Sequence, residues 1–435
     1  MNNPCKKTNT KKFLIVLVLC LCWITDSRTQ WYSQISGTSV YLESVQFINS
    51  NTGWIVGNGG MILKTTNSGM NWDIQQSGTS VWLEDVGFFD INTGWAVGKY
   101  GTIIKTTNSG LNWNQQATGL SDYFTSIFLL NNNTGWVTGI DGNVIKTTNS
   151  GENWFNQISG TGSFNTIHFI DSNTGWVAGY YISGSMYHGI MLKTTNSGTE
   201  WDTIAAGTND IYNCIVFTDH NTGWVSGSYY TGSIFYGDIL KTTDGGINWT
   251  RQVYGINNGF STLFFSNSSV GWAAGGAGKI LKTTNGGINW ISQTTGVTNY
   301  LLSVYFIDMF SGWSVGASGL ILKTSNGGAL FVTKKSNVVP DKFELSQNFP
   351  NPFNPTTKIR FDVPSGFPVR TSGNDKVVLK VYDVMGSEVQ TLVNERLQPG
   401  SYETSFNGSG LNSGVYFYMM TTGNYTQTKK MLLLK

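Results

Sequence analysis

Charge is what this sequence has least of. Charged residues make up 12% of the 435 positions, about half of the roughly 25% usual in a soluble domain. That excludes a charge-driven disordered polymer and a coiled coil alike. Arginine is scarcer still, with Arg251 alone between residues 31 and 331. Of the four cysteines, Cys5, Cys20 and Cys22 lie in the first 27 residues. Without that segment Cys214 stands alone, so no intrachain disulfide is expected, and its apolar neighbours suggest an inert thiol. Three histidines, His168, His188 and His220, are too far apart for metal-ligand spacing. No metal, cofactor or catalytic residue is expected from these patterns. What is abundant is glycine, 53 residues, and aromatics, with 16 Trp, 19 Tyr and 24 Phe. That combination reads as short strands and tight turns.

Residues 1–27 have the layout of a secretory signal peptide. Four lysines (Lys6, Lys7, Lys11, Lys12) precede twelve continuously apolar residues, Phe13 to Ile24, and small residues follow at Thr25 and Ser27. Twelve apolar residues are too few to span a bilayer, which takes about 20. Without this segment the chain holds 23 basic against 24 acidic residues by count along the sequence. Such a balance gives no electrostatic footprint for nucleic acid or an anionic membrane.

Gly-Trp recurs at Trp54, Trp95, Trp136, Trp176, Trp224, Trp272 and Trp313, with spacings of 40 to 48 residues. Each is followed by Lys-Thr-Thr/Ser, from Lys64 to Lys323, and then by Asn/Asp-x-Gly and an aromatic, from Trp72 to Phe331. A period of this length with several short strands per unit predicts a β-propeller. The fold class is therefore all-β, a seven-bladed propeller over residues 31–331 followed by a small Ig-like sandwich. In the second unit four strands are legible, at Leu83–Phe89, Gly94–Gly98, Thr102–Thr106 and Trp113–Gln116. The opening stretch from Trp31 matches the stretch from Trp72. The chain thus begins with a fourth-strand segment, and Trp31–Ile35 is expected to complete the seventh blade. Phe331–Lys334 competes for the same place.

The turns fit S/T-x-D/N-x-G-x-x-W, as in Thr65 to Trp72. They resemble the Asp-box (BNR) repeat, and the whole unit is similar to propellers of the photosystem II assembly-factor type. The resemblance implies fold more than activity, because Asp-box propellers include sialidases, xyloglucanases, receptors and assembly factors. Physically the box is a turn: Asn or Asp bonds the local backbone, Gly supplies positive φ and Trp plugs a seam between sheets. A sialidase clamps its substrate carboxylate with three arginines, which one Arg251 cannot supply. The assembly-factor resemblance implies an arginine-rich client surface, which is likewise missing. A glycoside hydrolase needs two carboxylates across a cleft, and nothing in the spacing of Asp85, Asp141, Asp238 and Asp308 pairs them. The chain is therefore read as a non-catalytic binding protein for a glycan or protein. A polysaccharide-active hydrolase and a periplasmic assembly factor are the alternatives.

The repeat consensus is broken on one expected face. Four residues before the core aliphatic of the first strands stand Tyr41, Trp82, Tyr123 and Tyr300, with Ser163, Ile211 and Gly259 in the other blades. Repeats four and five alone carry insertions between their second and third strands. These supply Tyr180, Tyr181 and Tyr187, then Tyr229, Tyr230, Phe235 and Tyr236. Aromatic platforms bind sugars or extended peptides by stacking, so these eleven residues form the candidate ligand site.

Proline maps the remainder. All eight prolines lie outside residues 31–331, and seven run from Pro340 onward. This places a linker at 332–341 and a second domain at 342–435. Its motifs, NFPNPFNP from Asn348, YDVMGSEV from Tyr382, GVYFY from Gly414 and the tail KKMLLLK, closely resemble the C-terminal sorting domain of type IX (Por) secretion substrates. That resemblance implies a Gram-negative cell, a secreted or surface-attached product with no transmembrane segment in the mature chain, and the type IX translocon as partner of residues 342–435.

Overall fold

The computed structural model describes residues 30–160, 162–206, 210–230, 235–328, 333–336, 338–365, 377–395, 397, 399–408 and 411–435. The expected signal peptide, with Cys5, Cys20 and Cys22, and the competing closure residue Phe331 lie outside these. The chain divides into two compact units, Gln30–Thr333 and a C-terminal unit from Lys334.

The first unit holds seven antiparallel four-stranded sheets among the described residues. Blade 2 is representative, with strands Leu83–Phe88, Gly94–Gly98, Thr102–Thr106 and Asn114–Gln116. The first strands follow one another round a closed ring, that of blade 7 (Leu301–Phe306) lying against that of blade 1 (Leu42–Phe47). Closure uses the N-terminal strand Tyr32–Gln34, which pairs with Leu320–Thr324 in the register Tyr32 to Lys323. Its chemistry is legible in Trp31, which is fully buried and meets the Phe306 ring edge-on at 5.6 Å.

That contact is one instance of a repeated seam. Phe47 stacks on Trp313 of the preceding blade at 3.6 Å and receives Trp72 of its own blade edge-on at 5.8 Å. The same sandwich recurs at Phe88, Phe169, Phe217 and Phe265. Leu129 takes the position in blade 3, packed beside Trp95 and Trp154. The Gly of each Gly-Trp is required by this sandwich. A Cβ on Gly53 would sit 2.6 Å from the Phe47 ring.

The box turns lock locally and then across the seam. Gly69 N–H donates to Thr65 Oγ1 at 2.8 Å, and Asn71 N–H to Asn67 Oδ1 at 2.9 Å. Lys64 Nζ reaches into the next blade and donates to Ser109 O at 2.8 Å. Lys105 does so to Ser150, Lys146 to Ser197, and Lys323 closes the circle on Ser68.

The C-terminal unit contains two four-stranded sheets among the described residues. Buried Phe361, Leu379, Tyr418, Met420 and Met431 form part of its core. Asn348 of the NFPNPFNP motif is buried and holds the loop, donating from Nδ2 to Pro350 O and Thr357 Oγ1 at 3.0 Å each. The expected linker 332–341 is shorter than its composition suggests. Thr333–Ser336 is a strand at the edge of one C-terminal sheet, where Lys335 Nζ pairs with Glu403 at 3.1 Å.

Candidate functional site at the channel mouth

The two faces of the ring are fixed by short hydrogen bonds. Lys99 N–H, in the loop joining strands two and three of blade 2, donates to Trp82 O at 3.1 Å. Ile140 does so to Tyr123 O, Asn58 to Tyr41 O and Ala317 to Tyr300 O. The residues leading into the first strands therefore share a face with the strand two–three hairpins. The box turns lie on the opposite face, where Ser68 N–H bonds Asn51 O in the strand one–two loop.

On the hairpin face the predicted aromatics fall into two groups. Tyr41, Trp82 and Tyr300 are 48%, 43% and 50% exposed, and Tyr123 is half-buried. Trp82 and Tyr123 are brought together by Lys99, whose Nζ lies 3.3 Å from the Trp82 ring centre and 4.7 Å from that of Tyr123. Across the ring, the insertions extend into hairpins, with Tyr180 opposite Gly189 and Tyr229 opposite Tyr236. Tyr187 meets Tyr180 edge-on at 5.4 Å and reaches Phe235 of the neighbouring hairpin at 6.3 Å. The two insertions thus touch through aromatic rings. Tyr181 is stacked on His188 and packs against the blade 4 core, away from this contact. Tyr229 lies under the Arg251 guanidinium at 5.7 Å. The Tyr230 side chain lies outside the described residues.

Several charged residues join these aromatics. Beneath Trp82, Glu84 accepts a short hydrogen bond from the Tyr123 hydroxyl. Burial pushes the Glu84 carboxyl up, against the pull of the Tyr123 hydrogen bond and Lys99. Glu43, at the same position in blade 1, is pushed to about 7 by burial and by Glu84, with Lys99 opposing. Deeper in the channel wall, Asp85 is enclosed by donors from three blades. Ser44 Oγ donates at 2.7 Å, Ser126 Oγ at 3.1 Å and the N–H groups of Val86 and Ile127 at 2.9 Å each.

In blade 5, Arg251 bridges two carboxylates with no exposed side-chain surface, Asp238 at 2.8 Å and Asp210 at 3.4 Å. Burial, then Asp210, holds Asp238 at about 7 despite the arginine. Glu43, Glu84, Lys99 and Asp210 were not singled out from sequence, and Arg251 was noted there only as insufficient for a triple-arginine clamp. Aligning the repeats would have exposed the glutamates, because Thr125, Asn165 and Asn213 occupy the same position in blades 3 to 5.

Other features carry less chemistry. An open cleft of about 870 Å³ at the seam of blades 7 and 1 is lined by uncharged residues, among them Gln34, Thr38, Asn299 and Ser318. Among the described residues no group of three or more His, Cys, Asp or Glu could hold a metal, and no helix is long and apolar enough to cross a membrane. Cys214 is a free thiol pushed up to about 11 by burial.

Residues 347–434 match the family described as the secretion system C-terminal sorting domain. The C-terminal unit is similar to this family along most of its length. Such a tail directs a chain through the type IX secretion machinery to the cell surface or beyond. In the propeller, residues 70–159 and 192–295 match the family of the photosynthesis system II assembly factor YCF48. No curated protein matches the chain. Among solved structures, YCF48 bound to D1 peptide is 22% identical with a TM-score of 0.57, covering 68% of this chain and 97% of that one. YCF48 from Cyanidioschyzon merolae is 21% identical with a TM-score of 0.55, covering 68% and 98%. PorZ, a surface component of the type-IX secretion system of Porphyromonas gingivalis, is 12% identical with a TM-score of 0.50, covering 89% of this chain and 59% of that one. At these identities the likeness is one of fold. The fold is that of a β-propeller, and the chain is similar to BNR-type propellers in one part and to a sorting domain in another.

Proposed function

We propose that this chain is an exported, non-catalytic recognition protein whose propeller binds a glycan or protein through its hairpin face. The observation that carries this reading is the clustering of aromatic rings on that face, with Trp82 and Tyr123 on one side and the Tyr180–Tyr187–Phe235 contact on the other. Half-exposed rings held in place by neighbours offer contact area at small entropic cost. One structural relative is seen with a bound peptide, which supports a polypeptide partner. The test is a glycan and peptide array probed with the secreted protein and with a Trp82→Ala/Tyr229→Ala variant. Loss of signal in the variant is expected, and equal binding would refute the face.

The hydrolase alternative gains one specific support, the Glu43 and Glu84 carboxyls lying close enough to repel. If they cleaved a glycosidic bond, Glu84→Gln would abolish release of reducing ends from polysaccharide. The expected outcome is that wild type releases none. An assembly factor retained in the periplasm is disfavoured by the sorting domain, and finding the protein in the medium or on the cell surface would exclude it.

A further inference from the structure

The two glutamates stand where blades 3, 4 and 5 share a hydrogen-bonding pattern. At this position in the first strand, Thr125 Oγ1 donates across the seam to Phe164 O at 2.6 Å. Asn165 Nδ2 donates to Tyr212 O at 2.8 Å, and Asn213 Nδ2 to Phe260 O at 2.9 Å. Blades 3, 4 and 5 are thus each tied to the next by a side-chain donor at the channel mouth. In blades 1 and 2 the donor is replaced by Glu43 and Glu84, which when ionised can only accept. The blade 1 and blade 2 seams therefore carry acceptors where those of blades 3 to 5 have donors. Glu84 is served by the Tyr123 hydroxyl, whereas Glu43 has no hydrogen-bond partner among the described residues.

A positive group already occupies part of this place. The Lys99 ammonium is seated between the Trp82 and Tyr123 rings, as in sites that recognise organic cations by aromatic faces. One lysine faces two carboxyl groups in a partly desolvated site, and burial, then Glu84, raises Glu43 to about 7, so a second cation would favour the ionised pair. Aromatic walls suit an ammonium or guanidinium group. A hard metal ion would call for more oxygen ligands than the two carboxylates supply.

We propose that the channel mouth between blades 1 and 3, walled by Trp82, Tyr123, Glu43 and Glu84, is a pocket for a lysine or arginine side chain of a polypeptide partner, with Lys99 as its resident stand-in. The proposal rests on the hairpin face being a binding face and specifies what that face reads. The incoming cation shares or displaces Lys99, supplies donors to both carboxylates and favours their ionised forms.

The experiment is a calorimetric titration of the secreted protein with three acetylated, amidated pentapeptides, Gly-Gly-X-Gly-Gly with X as Lys, Arg or Gln. The Lys and Arg peptides are expected to bind at least about tenfold more tightly than the Gln peptide. Lys99→Ala tightens the basic peptides about tenfold, and Glu43→Gln/Glu84→Gln abolishes their advantage. The glutamine variant restores a side-chain amide donor at each seam, so its thermal midpoint should equal or exceed that of wild type, separating lost recognition from lost fold. Equal binding of the Gln peptide, or basic-peptide binding that survives the double glutamine variant, overturns the proposal. Calcium binding lost in the same variant overturns it in favour of a metal site. A Phe235→Ala control keeps the two readings apart. If it weakens binding to array ligands while all three pentapeptides bind alike, the face stands and the cation pocket falls.

Discussion

The two faces of this propeller are built from the same seven repeats and obey different rules. On the box face, Thr106 Oγ1 receives Gly110 N–H, Lys105 donates to Ser150, and close equivalents recur from blade to blade. Polar groups there are spent on one another. On the hairpin face the chemistry changes from one part of the ring to another. Blade 2 offers Trp82, Lys99 and Glu84, blade 5 buries Asp210 and Asp238 around Arg251, and blades 4 and 5 alone carry tall hairpins. Repetition marks what closes the ring, and departure from it marks what is free to meet a ligand. Side chains that satisfy each other within the fold have little left to give a partner.

The largest expected effect breaks the regular side of that comparison. Trp31→Ala removes the last aromatic of the seam series and should cost about 3–5 kcal/mol of stability, as for other large core truncations. Denaturant unfolding followed by tryptophan fluorescence reads it. All 16 tryptophans lie before residue 314, so the signal reports no part of the sorting domain. Next comes Asp85→Ala, which strands two serine hydroxyls and two N–H groups contributed by three blades. A loss of about 1–3 kcal/mol is expected from the same measurement.

A pH series sharpens the comparison between domains. Glu43 is held near 7 in the folded propeller, above its ordinary value of 4.5. Its contribution is therefore present in full below about 4.5 and is lost as pH rises through about 7. Asp238, also near 7, acts in the same direction. Glu403 in the sorting domain is the opposite case. Burial would raise it, but Arg360, Lys335 and Lys358 together hold it at about 2. Its contribution is present above about 4.5 and lost as pH falls through about 2. Hydrogen exchange across Gly400–Asn407 should thus accelerate only in strong acid, while tryptophan-monitored stability declines between pH 4.5 and 7. The double glutamine variant at Glu43 and Glu84 should flatten that decline. The smallest stability effect belongs to the face proposed to bind. Trp82→Ala should shift stability by no more than about 0.5 kcal/mol while weakening ligand binding at least tenfold, which a thermal scan beside a binding titration will separate.

Much of the architecture was readable before any coordinates. Gly-Trp and the box residues announce the blades because each has a steric or hydrogen-bonding reason to recur. Gly53 is required by the Phe47 ring, and Asn67 by the Asn71 N–H. Trp31 announced the closure because it repeats Trp72. The candidate face was half legible. Tyr41, Trp82, Tyr123 and Tyr300 stand out as aromatics at one position of the repeat, but nothing in their spacing shows that Lys99 lies between two of them. Tyr181 and Tyr187 look alike in sequence and differ in space, since Tyr187 pairs with Ile182 rather than Tyr181 and successive residues of a strand point to opposite sides. The strand at Thr333–Ser336 was hidden in a stretch read as linker, because its pairing partner, Gly400–Asn407, lies far along the chain.

Sequence alone determined the repeat, the number of blades it implies and the sorting tail, because each is written in local motifs whose residues touch near neighbours. Tertiary structure decided the electrostatics of the mouth. Whether two carboxylates repel across a seam, and whether a lysine folds back over a tryptophan seventeen positions earlier, depends on distances that only the assembled blades set. Low charge first seemed only to exclude arginine-dependent chemistry. In the folded ring, scarcity makes two glutamates sharing a single lysine at one rim conspicuous.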